Sequence, residues 1–324
     1  MLNRIFNIQN EQQFTEIALA VFKHQFRNNK VYRSFCDLLY IHPASVNTIE
    51  EIPFLPIQFF KSRQVLSSLD EVQETFTSSG TTGSVISKHL VTDINLYKES
   101  YLKGFAHFYG NIEEYTVLAL LPNYLEREGS SLVFMVDDLI RKSKNPESGF
   151  FLDNRKELAQ KLIELDKTGQ KILLIGVSFA LLDLIEMQQF SLKNTIIMET
   201  GGMKGRRKEL VREELHAILQ NGFGVSEIHS EYGMTELLSQ AYSKGNGIFK
   251  TPPWMKILTR DTEDALTINA SGKNGGINII DLANYNSCSF IAAQDLGKVH
   301  ENETFEIIGR FDNSDIRGCN LLVL

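Results

Sequence analysis

Cysteine, proline and long apolar runs are all scarce in this sequence, and each shortage removes a class of protein. The three cysteines, Cys36, Cys288 and Cys319, are scattered and form no C-x-x-C pair. Neither a disulfide framework nor a thiolate metal cluster is expected, and a reducing cytoplasm is the expected compartment. No apolar run reaches the roughly eighteen residues a membrane span needs, so no transmembrane helix is expected. The opening MLNRIFNIQNEQQF lacks the continuous apolar core of a secretory signal. Positive charge is also short: the net charge of −7 argues against a sequence-independent nucleic-acid binder, which would carry a basic face. It says nothing against small anions, which a local loop can hold whatever the total.

What is present is globular. Hydrophobic residues make up 43% of the chain and charged residues 23%, so long disorder is not expected, and 324 residues suffice for one large domain or two ordinary ones. One stretch departs from this average. TFTSSGTTGS (75–84) holds seven hydroxyl residues and two glycines in ten positions, a composition that suits neither helix nor strand. Gly80 and Gly83 free the backbone to bring its N–H groups close to a ligand, and the hydroxyls add short donors, which suits the phosphates of a nucleotide. It is not a P-loop, because the position five after Gly80 is Val85 and the position five after Gly83 is Lys88. A solvated Ser/Thr/Gly loop is the competing reading.

The rest of the pattern predicts an α/β fold, with mostly parallel sheets flanked by helices and a small β-rich subdomain. Phe14, Ile17, Ala18, Val21, Phe22 and Phe26 recur at helical spacing over 11–27. Two of the seven prolines fall in IPFLPIQFF (52–60), which reads as an extended apolar segment packing beneath the glycine loop. YTVLALLP (115–122) reads as a buried strand. Asn154 and Glu157 have the spacing of a capping box opening a helix to Gly169. KILLIGVS (171–178), NTIIMETGG (194–202) and VSEIHSEYG (225–233) then alternate with helices, the charged one stopping near Gly222, which implies parallel strands with crossover connections. Beyond 250 short strands and turns take over. The expected division is an α/β core over 1–250 and a β-rich subdomain over 251–324.

In open α/β sheets ligands gather at the carboxyl ends of strands. Two such ends stand out. ETGGMKG (199–205) leads a glycine turn into a helix N-terminus, and EYGMTE (231–236) offers an aromatic plate, a hydroxyl and a carboxylate. Those groups suit a base, a phosphate and Mg²⁺ respectively. Tight turns and an ordinary helix start are the plainer readings. Asp137 and Asp138 lie in an apolar helix-like run with no evident metal partner, His229 lies near EYGMTE, and Cys36 and Cys288 read as structural.

TSSGTTG followed by Lys88, then EYGMTE, QDLG and GRFDNSDIRG, occur in the order found in the adenylate-forming superfamily of acyl-CoA synthetases, luciferases and nonribosomal adenylation domains. IPFLPIQFFK, LPNYLEREGSSLVFMV and GRFDNSDIRGC more narrowly resemble the LuxE-type acyl-protein synthetases, the synthetase component of bacterial fatty-acid reductase. The resemblance runs from about residue 50 to the end. It implies the adenylate-forming N-terminal domain fold, with a 1–250 core that binds nucleotide and acyl group and the 251–324 subdomain ending at the hinge motif. It also implies that Ser79, Gly80, Thr81, Thr82 and Gly83 grip the ATP β/γ-phosphates. Lys88 falls near the family's loop lysine, with Ser87 in place of the usual proline. Gly201, Gly202 and Met203 would line the adenine and Tyr232 would cover its other face. Thr235 would bond the α-phosphate, Glu236 would hold Mg²⁺, and Asp295 and Arg310 would reach the ribose.

The implied reaction is ATP-dependent activation of a carboxylic acid, most simply a fatty acid, as its acyl-adenylate. Cys319 matches the family's acyl-accepting cysteine, although packing with Leu321 and Leu322 is the plainer reading of that thiol. A protein partner, either an acyl acceptor or a reductase, is implied too. Full-length superfamily members continue into a domain bearing a catalytic lysine, whereas this chain ends fourteen residues after Arg310. The expectation is that another lysine or a partner substitutes. Two other readings compete: an acyl- or aryl-CoA ligase of the phenylacetate-CoA ligase type, and a non-catalytic subunit binding ATP or acyl chains.

Overall fold

A computed structural model describes residues 2–78, 85–121, 129–201 and 210–311. The chain divides into two compact units, one made of Met1–Leu69 and Pro253–Leu324, the other of Asp70–Pro252. The first unit contains β1 (Leu55–Pro56). The second holds β2 (Glu74–Thr77), β3 (Lys88–Val91), β4 (Tyr115–Leu120), β5 (Gly149–Phe150), β6 (Lys171–Val177), β7 (Thr195–Thr200), β8 (His229–Tyr232), β9 (Ala241–Ser243) and β10 (Phe249–Lys250). The first then resumes with β11 (Met255–Arg260), β12 (Asn274–Asp281), β13 (Phe290–Val299) and β14 (Phe305–Arg310).

In the Asp70–Pro252 unit the sheet order is β5-β4-β6-β7-β8-β9-β10. Strands β5 to β8 run parallel, and β9 and β10 turn antiparallel at the edge. All six residues of β4 and six of the seven in β6 are buried, as expected of strands covered on both faces. Helices Ser131–Ser143, Arg155–Lys167, Ser178–Met187 and Arg212–Phe223 supply the crossovers. The last stops near Gly222 as expected, at Phe223, with Gly224 at φ 68° as its left-handed cap. Gly222 itself lets two helices approach, since a Cβ there would lie 2.6 Å from Ile185. The capping box at Asn154 does not form: Asn154 begins the helix without a side-chain cap, and its amide donates to the Glu157 carboxylate. A separate hairpin, β2 with β3, carries the Ser/Thr/Gly stretch between its strands.

In the other unit β11, β12, β13 and β14 form an antiparallel sheet, and β1 adds to β13 in parallel, Leu55 opposite Ile291. IPFLPIQFF is thus extended only at its centre, where it pairs with this sheet, and Phe59–Ser62 turns into a short helix; the glycine loop it was expected to underlie falls outside the described residues. The N-terminal helix Glu11–Asn28 belongs with these strands and not with the α/β portion that precedes residue 250 in the chain. A buried side chain contributes to this placement. Gln25, fully buried, donates from Nε2 to the carbonyls of Asn284 (2.9 Å) and Tyr285 (3.0 Å) and accepts from the Ser289 amide (2.9 Å). Around it Phe22 packs edge-on against Phe290 and Tyr32. Among the described residues no helix is long and apolar enough to cross a membrane.

Gln25→Ala would strand a buried amide and two carbonyls. It is expected to lower the free energy of unfolding in a urea titration by about 2–4 kcal/mol. A loss below about 0.5 kcal/mol, the usual range for an uninvolved surface residue, would show that these bonds do not hold the helix to the sheet.

Candidate active site

The parallel register brings the two glycine-containing strand ends together. Met198, Glu199 and Thr200 of β7 lie opposite His229, Ser230 and Glu231 of β8. Gly201, the residue after β7, therefore lies beside Tyr232, the last residue of β8 and still paired with Ala241 of β9, at the carboxyl edge of the sheet. Gly201 takes φ 64°, a left-handed conformation that costs a side-chain-bearing residue about 1 kcal/mol or more. Its carbonyl accepts from Ser178 Oγ (2.8 Å), at the start of the helix after β6. Tyr232 is half-buried, edge-on to Phe249 at 6.0 Å between ring centroids.

Buried polar groups knit this edge. Thr200 Oγ1 donates to Glu231 Oε2 at 2.6 Å. Arg212 Nη1 donates to Glu199 Oε1 at 2.7 Å and to Ser230 Oγ at 3.3 Å, while its guanidinium carbon sits 5.0 Å from the centre of the Phe249 ring. His216 Nε2 is 3.6 Å from the same Glu199 oxygen. A guanidinium in contact with a buried carboxylate offsets desolvation that neither group would bear alone.

Past Tyr232 the chain turns through Gly233 to Thr235, half-buried, and Glu236, buried. The turn is held from the β2–β3 hairpin. His89 Nδ1 lies 2.9 Å from the Thr235 carbonyl oxygen, and because a carbonyl only accepts, Nδ1 carries the proton. Burial lowers the pKa of His89 to about 4, so the ring is neutral at physiological pH and donates through Nδ1 alone. Lys88, its neighbour, pairs with Thr77 and points to solvent. The neck of the hairpin is closed by Ser78 N to Ser87 O (3.1 Å) and Ser87 N to Ser78 Oγ (2.9 Å).

Asp295 of β13 and Arg310 of β14 are cross-strand partners in the other unit, with Arg310 Nε 3.3 Å from Asp295 Oδ1. Ser79, Gly80, Thr81, Thr82, Gly83, Gly202, Met203 and Cys319 lie outside the described residues. Of the seven described site residues, Gly201 and Tyr232 are brought together by the β7–β8 register, and Lys88 is joined to Thr235 and Glu236 through His89. Asp138 is structural, accepting from Tyr101 Oη at 2.7 Å, and Asp137 pairs with Arg141. His229 bonds Tyr109 Oη at the far end of β8. Among the described residues no group of three or more His, Cys, Asp or Glu is arranged to hold a metal. A single carboxylate such as Glu236 remains compatible with Mg²⁺, which takes most of its ligands from water and phosphate.

Sequence reasoning missed His89, Thr200, Glu231 and Arg212. A faint signal existed for Glu231, a carboxylate inside a short strand whose flanking strands are apolar. Nothing local marked the other three.

Glu231 is the most perturbed carboxyl at this edge. Burial raises its pKa to about 7, with Glu199 adding to the rise and the Thr200 hydrogen bond opposing it. The folded protein therefore holds a proton that the unfolded chain releases near pH 4.5. Stability falls as pH rises from there, and the full penalty, about 3 kcal/mol, is present above pH 7. Glu231→Gln is expected to flatten the unfolding free energy between those limits in denaturant titrations at stepped pH. An unchanged slope would place the titration on another group.

The comparisons agree with this architecture. A sequence profile of the family described as acyl-protein synthetase, LuxE, matches residues 4–117 and 133–324. The long-chain-fatty-acid–luciferin-component ligase of Vibrio harveyi is 23% identical, over 98% of this chain and 89% of its own length. The enzyme of the same name from Aliivibrio fischeri is also 23% identical, over 94% and 86%. Among solved structures, 2-hydroxyisobutyryl-CoA ligase with 2-HIB-AMP and CoA superposes with TM-score 0.67 at 11% identity, over 93% of this chain and 70% of that one. ATP-bound MatB from Rhodopseudomonas palustris gives 0.57 at 17% identity over 75% of this chain, and the match spans only 49% of MatB. The fold is that of the adenylate-forming enzymes, and the chain belongs to the LuxE acyl-protein synthetase family.

Proposed function

We propose that this chain activates a carboxylic acid, a long-chain fatty acid in particular, as its acyl-adenylate and then passes the acyl group to a protein thiol. The observation that carries the reading is the turn Tyr232–Glu236. It follows a parallel strand end beside Gly201, and His89 bonds its Thr235 carbonyl. The same turn sequence lies at the corresponding place in the superfamily's order of motifs, and the named relatives are fatty-acid ligases.

In the first step an oxygen of the substrate carboxylate attacks the α-phosphorus of ATP. The bond from that phosphorus to the bridging oxygen breaks, and pyrophosphate leaves with the electron pair. Gly201, Gly202 and Met203 would line one face of the adenine, and Tyr232 the other. Thr235 would donate to the α-phosphate, where negative charge grows in the transition state. The loop Ser79–Gly83, with Lys88 beside it, would neutralise the β- and γ-phosphates. Asp295 and Arg310 would bond the ribose hydroxyls. Glu236 would hold Mg²⁺, whose contribution is to screen phosphate charge and favour the leaving group. In the second step a thiolate, Cys319 in this reading, attacks the acyl carbonyl, a thioester forms and AMP departs. A partner protein then takes the acyl group.

Denaturing intact-mass measurement after incubation with ATP, Mg²⁺ and carboxylic acids of graded length tests both steps. The wild-type chain is expected to gain the mass of one acyl group, and Cys319→Ser to gain none while still releasing pyrophosphate. Pyrophosphate without any adduct on the wild type would move the acceptor off this chain. Neither product would overturn adenylation itself.

His89→Phe keeps an aromatic ring, somewhat larger than imidazole, and removes the donor to Thr235. It is expected to lower pyrophosphate release by about tenfold, the scale of one lost hydrogen bond at a positioned group, measured on protein shown to be folded. Wild-type rates would show that Thr235 is held by other contacts.

A further inference from the structure

We propose that Thr200 and Glu231 are positioning residues for the nucleotide: their hydrogen bond clamps the ends of β7 and β8 and sets the gap between Gly201 and Tyr232. The inference rests on the reading above, in which those two residues flank the adenine.

The geometry is specific. Thr200↔Glu231 is the last paired position of the β7–β8 ladder. Side chains at directly paired positions of neighbouring strands emerge on the same face of the sheet, which is why hydroxyl and carboxyl meet there at 2.6 Å. Each clamp residue precedes a proposed adenine neighbour by one position, so a splayed pair would move Gly201 and Tyr232 apart. The carboxyl is also packed from the chain's exit side: a Cβ on Gly233 would come 2.5 Å from Glu231 Oε1. Gly201 has a second tie, the bond from Ser178 Oγ to its carbonyl, so the β7 end is fixed from two directions. Both clamp residues are buried. A buried hydroxyl–carboxyl pair is not the cheapest filling for a core, because apolar residues of similar volume avoid desolvating the carboxyl.

The test is ATP affinity of the full chain, by calorimetry with Mg²⁺, alongside steady-state pyrophosphate release varied in ATP and in acid. Thr200→Val removes the donor with little change in shape. It is expected to raise Kd and KM for ATP about tenfold while KM for the acid and kcat stay within about twofold. Thr200→Ser keeps the donor and Glu231→Gln keeps the acceptor, and each is expected to bind ATP within about twofold of wild type. If Thr200→Val does not fold, Thr200→Ala carries the same comparison. Unchanged ATP affinity in folded Thr200→Val and Glu231→Ala would overturn the clamp, whatever happens to their melting temperatures, and would leave the proposed activity standing. A wild-type chain that does not bind ATP would overturn the activity and the clamp together.

Discussion

The candidate site depends first on the parallel register of β7 and β8. With Thr200 opposite Glu231, two stretches separated by about thirty positions of chain deliver a glycine and a tyrosine to one edge of one sheet. A shift of one residue would turn Glu231 to the other face of the sheet and leave Thr200 facing no carboxyl. The antiparallel strand β9 then fixes β8 from its other side, with Ala241 opposite Tyr232. The register is secured below this edge by apolar contact, since Ile197 and Met198 of β7 and Ile228 just before β8 are buried.

Above the apolar layer the chemistry changes abruptly. Within a few positions two buried polar clusters form: Glu199, Ser230, Arg212 and His216 in one, and Thr200 with Glu231 in the other. Such clusters are costly to bury, and their charges are compensated unequally. Glu199 has a guanidinium at 2.7 Å, so its charge is balanced. The pKa of Glu231 is raised by burial, which the hydrogen bond from the Thr200 hydroxyl only partly offsets, and its proton is held up to about pH 7. The two carboxyls thus have different partners, a guanidinium for Glu199 and a hydroxyl for Glu231.

Much of this fold was legible in the sequence because its signals are local. The alternation of KILLIGVS, NTIIMETGG and VSEIHSEYG with helical segments identified β6, β7 and β8, and the continuous apolar run of the first marked it as buried. The motif order identified the edge where the site forms. What was not legible depends on partners far away in the chain. Gln25 sits on the apolar side of an amphipathic helix and looks like an exception to it; only the carbonyls of Asn284 and Tyr285, some 260 positions on, explain it. IPFLPIQFF shows its extended centre through its prolines, but pairing with β13 is a matter of topology that prolines do not encode. Asn154 carries a capping signal and makes a different bond, because its side chain finds a carboxylate where the expected acceptor role needed a backbone amide.

His89 shows how one short strand serves two purposes. Strand alternation sends Lys88 outward and His89 inward. The outward residue is an exposed cation, and the inward one donates to the Thr235 carbonyl. Burial keeps the imidazole neutral, so it acts as a fixed single donor and adds no second positive charge beside Lys88. A lysine or arginine at position 89 could reach the same carbonyl only by burying a full charge, and an asparagine would be too short to span from the hairpin. The neutral ring therefore couples the hairpin's base to the Thr235–Glu236 turn without burying a charge, and the hairpin, whose strands among the described residues pair with each other and not with the large sheet, gains a fixed point at the turn after β8.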